Sequence, residues 1–234
     1  ADFKLDFFTP TRQIAHCGHA TIATFSYLGQ LGKIPGTHTS KETIDGRREI
    51  LMREDLAFMQ QLAPTYFEPI TLRSKILRSL GISEKDVFID RPIVVANTGN
   101  SFLIVPVKSS DILKFLVPDM NLIREVSDEL DLIGYYPFSA ETFNPVNDAS
   151  ARMFAPRYGI AEESATGMAG GPLACYLFDF AGLKKDRIMV EQGWLMKEPS
   201  PSQIIVDLDV DGERIKGLMA GGKGIVSATK IIDL

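Results

Sequence analysis

Apolar and polar positions alternate along Phe3-Lys4-Leu5-Asp6-Phe7-Phe8, the period of a half-buried strand. The turn-rich Thr9-Pro10-Thr11 follows. From Ala20 to Gly32 no residue is charged, and Ile22, Ala23, Phe25, Tyr27, Leu28 and Leu31 fall on several faces. That pattern predicts a helix buried all round, stopped by Gly32 and Pro35. The Asp45-Gly46 pair between Lys41–Asp45 and Arg48–Met52 predicts a hairpin. A strand is expected over Ala57–Leu62 and a short amphipathic helix over Thr71–Leu80. The β-rich runs Pro92–Ala96 and Phe102–Val107 flank Asn97-Thr98-Gly99-Asn100. Ser109–Leu116 and Met120–Leu130 read as helices, Leu132–Tyr136 and Ser150–Phe154 as extended chain. A second uncharged stretch, Ser164–Phe178, predicts a second buried helix, with Pro172 tolerated only near its first turns or at a kink. Strands follow over Ile188–Glu191, Gln203–Leu208, Arg214–Met219 and Ile225–Ile232, with Asp211-Gly212 as another hairpin turn. The order is many short strands with one buried helix in each half, not an alternation of strand and helix.

The two halves echo one another. Phe8-Thr9-Pro10 superposes on Phe154-Ala155-Pro156 at an offset of 146 (154 − 8), and at that offset Ile14-Ala15 falls on Ile160-Ala161 and Ala23 on Ala169. In both halves a strand ends in Phe-x-Pro, a short loop follows, then small residues, then the uncharged helix. Gly18, Ala20 and Thr21 stand against Ser164, Thr166 and Gly167. The repeat predicts two similar β-rich lobes, residues 1–97 plus 223–234 and residues 98–222. A buried helix start presents unpaired N–H groups and a partial positive charge. Two such starts facing one cleft would suit a small carboxylate-bearing molecule.

Composition narrows the classes. Of 234 residues, 25 are Lys or Arg and 30 Asp or Glu, a net charge of −5, which argues against a partner held by phosphate neutralisation, so no nucleic acid is expected. The 45% hydrophobic and 24% charged content is that of a globular domain. No run approaches the ~20 apolar residues of a spanning helix, so no membrane is expected either. Cys17 and Cys175 are the two cysteines, too few for a disulfide framework, which makes a reducing cytoplasm the expected location. The chain begins Ala1-Asp2-Phe3, without Met and almost at once in a strand pattern, as though cut from something longer. An edge left open by such a cut would recruit a partner, so a homo-oligomer, a dimer, is expected.

Two stretches carry a family resemblance. Asp6-Phe7-Phe8-Thr9-Pro10-Thr11-Arg12-Gln13-Ile14-Ala15-His16-Cys17-Gly18-His19-Ala20-Thr21 resembles the first signature of the PhzF-like (phenazine-biosynthesis-like) family. Arg152-Met153-Phe154-Ala155-Pro156, through Ile160-Ala161-Glu162-Glu163-Ser164-Ala165-Thr166-Gly167-Met168-Ala169, resembles the second. With the repeat and the Gly221-Gly222 region, the resemblance covers the whole chain. It implies an α+β fold of the diaminopimelate-epimerase kind, two pseudo-symmetric lobes, each an antiparallel barrel-like sheet around a central helix. It implies an isomerase or epimerase that moves a proton on a small carboxylate-containing metabolite without cofactor or metal. It also implies earlier strands and a proton-shuttling Glu ahead of the first signature, where this sequence has not yet begun. The second signature usually reads Glu-Asp-Pro-Ala-Thr-Gly-Ser; here Glu163, Ser164 and Met168 replace the Asp, the Pro and the Ser.

His19 matches the family's active-site His. It would orient or protonate the substrate, and Glu163 would be the second acid–base group. The backbone at Gly18, Thr166, Gly167 and Met168 would hold the carboxylate, with Gly221 and Gly222 lining the approach. Each has a plainer reading: a capping His, a helix-end acid, small residues for packing. Cys17 matches one catalytic cysteine of diaminopimelate epimerase, but the position matching it in the second half is Glu163, so a two-thiol mechanism is not expected. His16, Cys17 and His19 fit no structural zinc spacing, and no metal is expected. Gly217-x4-Gly222-Lys223 falls short of a P-loop, since Gly224 replaces the Ser or Thr and a β-rich run follows; it reads instead as a turn. The rival function is a small-molecule-binding or structural protein that has lost the base.

Overall fold

The computed structural model describes residues 1–8, 13–14, 17–44 and 46–230. Thr9-Pro10-Thr11, His16, Asp45 and the end of the last expected strand lie outside the described residues. The chain divides into two compact units, residues 1–60 with the stretch from Gly221, and Gln61–Ala220.

The first unit contains β1 (Phe3–Lys4), β2 (Phe7–Phe8), β3 (Gln13–Ile14), α1 (Gly18–Gln30), β4 (His38–Thr43), β5 (Gly46–Arg53) and β6 (Leu56–Leu62, which crosses into the second unit). The expected strand over residues 3–8 is two short pieces: β1 pairs parallel with β4, while β2 turns away to pair antiparallel with β3. β4–β5 is the hairpin expected around Gly46, with Thr43 opposite Gly46. β5 and β6 extend it antiparallel. Phe25 of α1 packs on Ile50, Met52, Ala57 and Met59, with Phe3, Leu5, Ile22 and Ile34 at the margin. The helix is one-sided, however. It buries Gly18, Thr21, Phe25 and Ser26 and leaves Ala23 and Tyr27 exposed. Absence of charge permits burial on every face; only the strands packed against one face impose it.

The second unit begins in β6 and holds β7 (Thr65–Phe67), α2 (Arg73–Ser79), β8 (Val94–Asn97), β9 (Ser101–Pro106), α3 (Ser110–Lys114), α4 (Met120–Glu129), β10 (Gly134–Ser139), β11 (Ala149–Ala151), β12 (Met153–Ala155), β13 (Ile160–Glu163), α5 (Gly167–Asp179), β14 (Arg187–Gln192), β15 (Ser202–Asp211) and β16 (Arg214–Lys223, whose end returns to the first unit). The strand order is β16-β15-β14-β11-β10-β9-β8-β7, with β12 paired to β10 and β13. Residues 61–97, expected in the first lobe, belong here, because β7 pairs with β8 and β8 with β9. Most ladders are antiparallel; besides β1–β4, the pairs β9–β10 and β11–β14 run parallel. β9 is buried along nearly its whole length because both faces are covered. Phe102 and Ile104 join the core around α5, while Leu103 and Val105 join a second core with Ile76, Leu113, Ile123 and Val126 of α2, α3 and α4.

The buried helix expected in the second half is α5, buried from Ala169 to Phe178. Pro172 sits beyond its first turn, where it removes one helical hydrogen bond. Gly170 is required by close approach, since a Cβ there would meet Ile204 Cγ2 at 2.7 Å. No strand follows β16 among residues 224–230, where Ile225 and Val226 are exposed.

The sequence repeat has a topological counterpart. Within each unit a short strand runs parallel to the strand that follows the helix, β1 to β4 and β11 to β14. Next comes a small antiparallel pair, β2–β3 or β12–β13, then the helix, then antiparallel strands. Phe3 opens the first series and Ala149 the second, at the same offset of 146 (149 − 3).

Burial predicts an alkaline limit to stability. It pushes the phenols of Tyr66, Tyr135, Tyr136 and Tyr176, and the thiol of Cys175, above their ordinary values; a hydrogen bond to Asp179 adds to the effect at Tyr66. The folded chain keeps these protons where the unfolded chain loses them, so the unfolded state binds fewer. Their contribution is complete below about pH 8.5 and declines as pH rises through the ordinary Cys and Tyr values of ~8.5 and ~10. The urea midpoint is expected to fall from pH 8 to pH 11, with the tyrosinate absorbance of the four buried tyrosines appearing only together with unfolding. Tyrosinate from more than two of the six tyrosines at pH 10, while the fold stays intact, would contradict this, since Tyr27 and Tyr158 are exposed.

Candidate active site

The start of α5 is built by a side-chain network. Thr166 is its N-cap, and the Thr166 hydroxyl donates to Glu163 Oε2 at 2.7 Å. From the end of β14, Gln192 reaches under the helix start: its Oε1 accepts from Thr166 N at 3.1 Å and from the Tyr136 hydroxyl at 2.8 Å. Gln192 Nε2 donates to Glu163 O at 2.6 Å and to Thr166 Oγ1 at 3.1 Å. Gln192, Tyr136 and Thr166 are all buried, and Glu163 is partly exposed. Burial, and then the charge of Glu163, push the Tyr136 phenol up, so it stays a donor.

Gly167 and Met168 supply the first amides of α5, groups for which the helix itself has no acceptor. A Cβ on Gly167 would meet no atom within 4 Å, so space is open there. From the other side Gln61 Nε2 donates to Gly167 O at 3.0 Å, and Thr98 Oγ1 donates to Gln61 Oε1 at 2.6 Å. Asn100 Nδ2 lies 3.6 Å from Met168 Sδ. Gly193 fixes the loop after Gln192. Its φ is +84°, and a Cβ would run into Ser200 O and lie 3.0 Å from Ser164 O. The next residue, Trp194, is stacked on Phe143, with ring centroids 5.4 Å apart and an 11° interplanar angle. Phe143 N, Asn144 N and Asn147 Nδ2 all donate to the buried carboxylate of Glu191, which ties down that loop.

Glu163 is also fixed from behind. The neighbouring Glu162 makes a two-pronged ion pair with Arg152, both contacts 2.8 Å. Arg152 further donates to Leu113 O and Lys114 O, and its guanidinium lies over the Phe154 ring. Side chains alternate along a strand, so pinning Glu162 to one face of β13 turns Glu163 to the other.

The start of α1 has a related construction. Cys17 is the N-cap, Gly18 is buried and His19 is exposed in the first turn. Thr21 Oγ1 donates to Cys17 O at 2.7 Å and accepts from the fully buried Lys41 at 2.9 Å. Cys17 Sγ lies 3.7 and 3.8 Å from the two ring nitrogens of His19. In both units, then, the strand after the helix sends a donor to a threonine at the helix start.

Of the residues expected from sequence, Glu163, Thr166, Gly167 and Met168 come together at α5, and Gly18 and His19 at α1. Gly221 and Gly222 lie in β16, a strand where a turn was expected, and a Cβ on Gly221 would clash with the backbone of Ala57 and Phe58. Close strand packing is sufficient reason for that glycine. Cys175 is buried inside α5 with its thiol pushed up by burial, and then by Asp179, so it is no second catalytic thiol. Gln192, Tyr136, Gln61, Thr98 and Asn100 were missed. The signal for Gln192 was a polar pair closing an apolar strand, and for Thr98 and Asn100 the polar loop between two strands.

Comparison with known proteins agrees with the two signatures. A family model described as phenazine biosynthesis-like protein matches residues 1–229. The uncharacterized isomerase YfhB of Bacillus subtilis is 30% identical, over all of this chain and 81% of its own length. The trans-2,3-dihydro-3-hydroxyanthranilate isomerase of Pseudomonas aeruginosa is 27% identical, over 97% of this chain and 78% of its own. The crystal structure of a Bacillus anthracis PhzF-family protein superposes with a TM-score of 0.81 at 26% identity, covering 94% of this chain and 77% of that one. The mixed α+β fold, the two signatures and these relatives together place the chain in the phenazine biosynthesis-like protein family, as an isomerase.

Proposed function

We propose that the chain moves a proton on a small carboxylate-containing metabolite, using side chains and backbone amides without a cofactor. Glu163 is the acid–base group, His19 orients or protonates the substrate, and the amides at Gly18, Gly167 and Met168 receive the carboxylate; the Thr166 amide, expected from sequence to join them, donates instead to Gln192 Oε1. The observation that supports this most is the pairing at α5 of an oriented, partly exposed carboxylate with helix-start amides and open space before Gly167. A carboxylate can take or return a proton, and helix-start amides stabilise the negative charge that a proton shift develops. The substrate of the P. aeruginosa relative, trans-2,3-dihydro-3-hydroxyanthranilate, is the natural probe.

The test is incubation with that probe in D2O, followed by absorbance and by NMR. Isomerisation with deuterium incorporated at carbon supports the reading. Binding without exchange, for this probe and for a panel of small cyclic amino acids, would favour a non-catalytic binding protein. Trp194, the one tryptophan, lies two residues after Gln192 and is 40% exposed, so its fluorescence can report occupancy.

His19→Ala is expected to weaken binding of a carboxylate ligand by about 1–3 kcal/mol, through loss of a charge-assisted hydrogen bond. Cys17→Ala should cost much less. Calorimetric titration of both variants decides between them; the reverse order would move the chemistry to the thiol.

A further inference from the structure

We propose that Gln192, held by Tyr136, sets the direction of the Thr166 hydroxyl proton and commits it to Glu163, which makes Gln192 and Tyr136 positioning residues for that carboxylate. The proposal rests on the reading of Glu163 as the acid–base group. The direction follows from the donors and acceptors alone. Thr166 N–H can only donate and Glu163 C=O can only accept. They meet opposite ends of the Gln192 amide, at 3.1 Å and 2.6 Å, so its oxygen faces Thr166 N and its nitrogen faces Glu163 O. The Tyr136 hydroxyl, donating to that oxygen at 2.8 Å, reinforces this orientation. The nitrogen end then donates to Thr166 Oγ1 as well, at 3.1 Å. Thr166 cannot send its proton back along that contact. Its single proton is left for Glu163 Oε2 at 2.7 Å.

One consequence follows for the carboxylate: it is held against rotation by a hydroxyl whose own position is fixed by a buried amide. Reversing the amide would put its nitrogen against the Thr166 N–H, which can only donate, and its oxygen against the Glu163 carbonyl, so burial of Gln192 keeps the arrangement in one state.

NMR of the whole isotopically labelled chain tests this without any substrate. The Thr166 hydroxyl proton is expected as a slowly exchanging resonance with a nuclear Overhauser contact to the Glu163 side chain, assigned by its loss in Thr166→Val. It should persist in Thr166→Ser and in Glu163→Gln, where an acceptor remains, and be lost in Glu163→Leu. In Gln192→Glu the former nitrogen end becomes an acceptor, and the contact to Glu163 should be lost or fall at least twofold. If Gln192→Glu does not fold, Gln192→Met removes the same constraint and should raise hydroxyl exchange at least tenfold. A hydroxyl that exchanges freely in the parent, or whose contact to Glu163 survives both Gln192 substitutions, overturns the proposal. Turnover of the probe is a separate readout. A chain inactive on every probe but with the predicted resonance would sink the isomerase reading and leave the proton direction standing.

Discussion

Glu163→Gln is expected to lower turnover of an accepted substrate by about 10²–10⁴-fold, the usual contribution of a positioned general acid or base. The substitution keeps the shape of the side chain and an oxygen that can accept from the Thr166 hydroxyl, now 2.7 Å from Glu163 Oε2. What it removes is the capacity to hold and release a proton. The fold should therefore be unchanged and ligand binding, followed by Trp194 fluorescence, should stay within a few-fold. An equal loss of binding and turnover would make Glu163 a binding group, because a residue that acts only in the transition state lowers kcat and kcat/KM together and leaves affinity alone. Unchanged turnover would remove Glu163 from the chemistry. The notable feature is that a Glu occupies a place where relatives of the second signature usually carry Asp. Glu163→Asp withdraws the carboxylate from Thr166 by one methylene. If the Thr166 contact positions the working carboxylate, the shorter acid should keep only part of the activity.

The sequence patterns that proved most informative were those with a direct physical cause. Uncharged stretches with helical length gave α1 and α5, and Asp-Gly pairs between apolar runs gave the hairpins β4–β5 and β15–β16. The offset of 146 emerged as equivalent parallel pairings, β1–β4 and β11–β14, which composition alone could not indicate because a parallel pair joins residues distant in the chain. Failures came where a pattern has two causes. α1 lacks charge, yet only one side of it is covered. Gly221 has the signature of a ligand-facing glycine, yet the backbone of Ala57 and Phe58 occupies the space its side chain would need. Of the strand expected over Ile225–Ile232, none forms among residues 224–230, where Ile225 and Val226 are exposed. At the site itself, the motif pointed to Glu163, Thr166, Gly167 and Met168. The residues that orient them come from β14, β10 and the loop after β8, separated from the motif by tens of positions. Only the fold brings Gln192 and Tyr136 beneath Thr166.

Arg152→Leu is expected to destabilise the second unit by about 3–5 kcal/mol, the usual consequence of removing one member of a buried ion pair. The side chains of Arg152 and Glu162 are only 10% and 16% exposed, and their two contacts are both 2.8 Å. Removing the guanidinium strands the carboxylate of Glu162 in poorly hydrated surroundings and leaves Leu113 O and Lys114 O, at the end of α3, without a donor. It also removes the cation from the face of Phe154. At about 2–4 °C per kcal/mol for a chain of this size, the melting temperature should fall by roughly 6–20 °C. Glu162→Leu alone should cost less, because Arg152 keeps both carbonyl acceptors. In the double variant Arg152→Leu/Glu162→Leu no charge is left buried, so it should regain much of what the single Arg152 variant loses; the interaction energy, from urea midpoints of all four chains, should exceed about 1 kcal/mol. Additivity within about 0.5 kcal/mol would mean that the two side chains act separately. The same series bears on function. Glu162 and Glu163 are consecutive on β13 and face opposite sides, so freeing one frees the strand that aims the other. At a temperature where Arg152→Leu is still folded, turnover should fall further than binding, and Arg152→Lys, which keeps a charge but not the two-pronged fork, should lie between it and the parent.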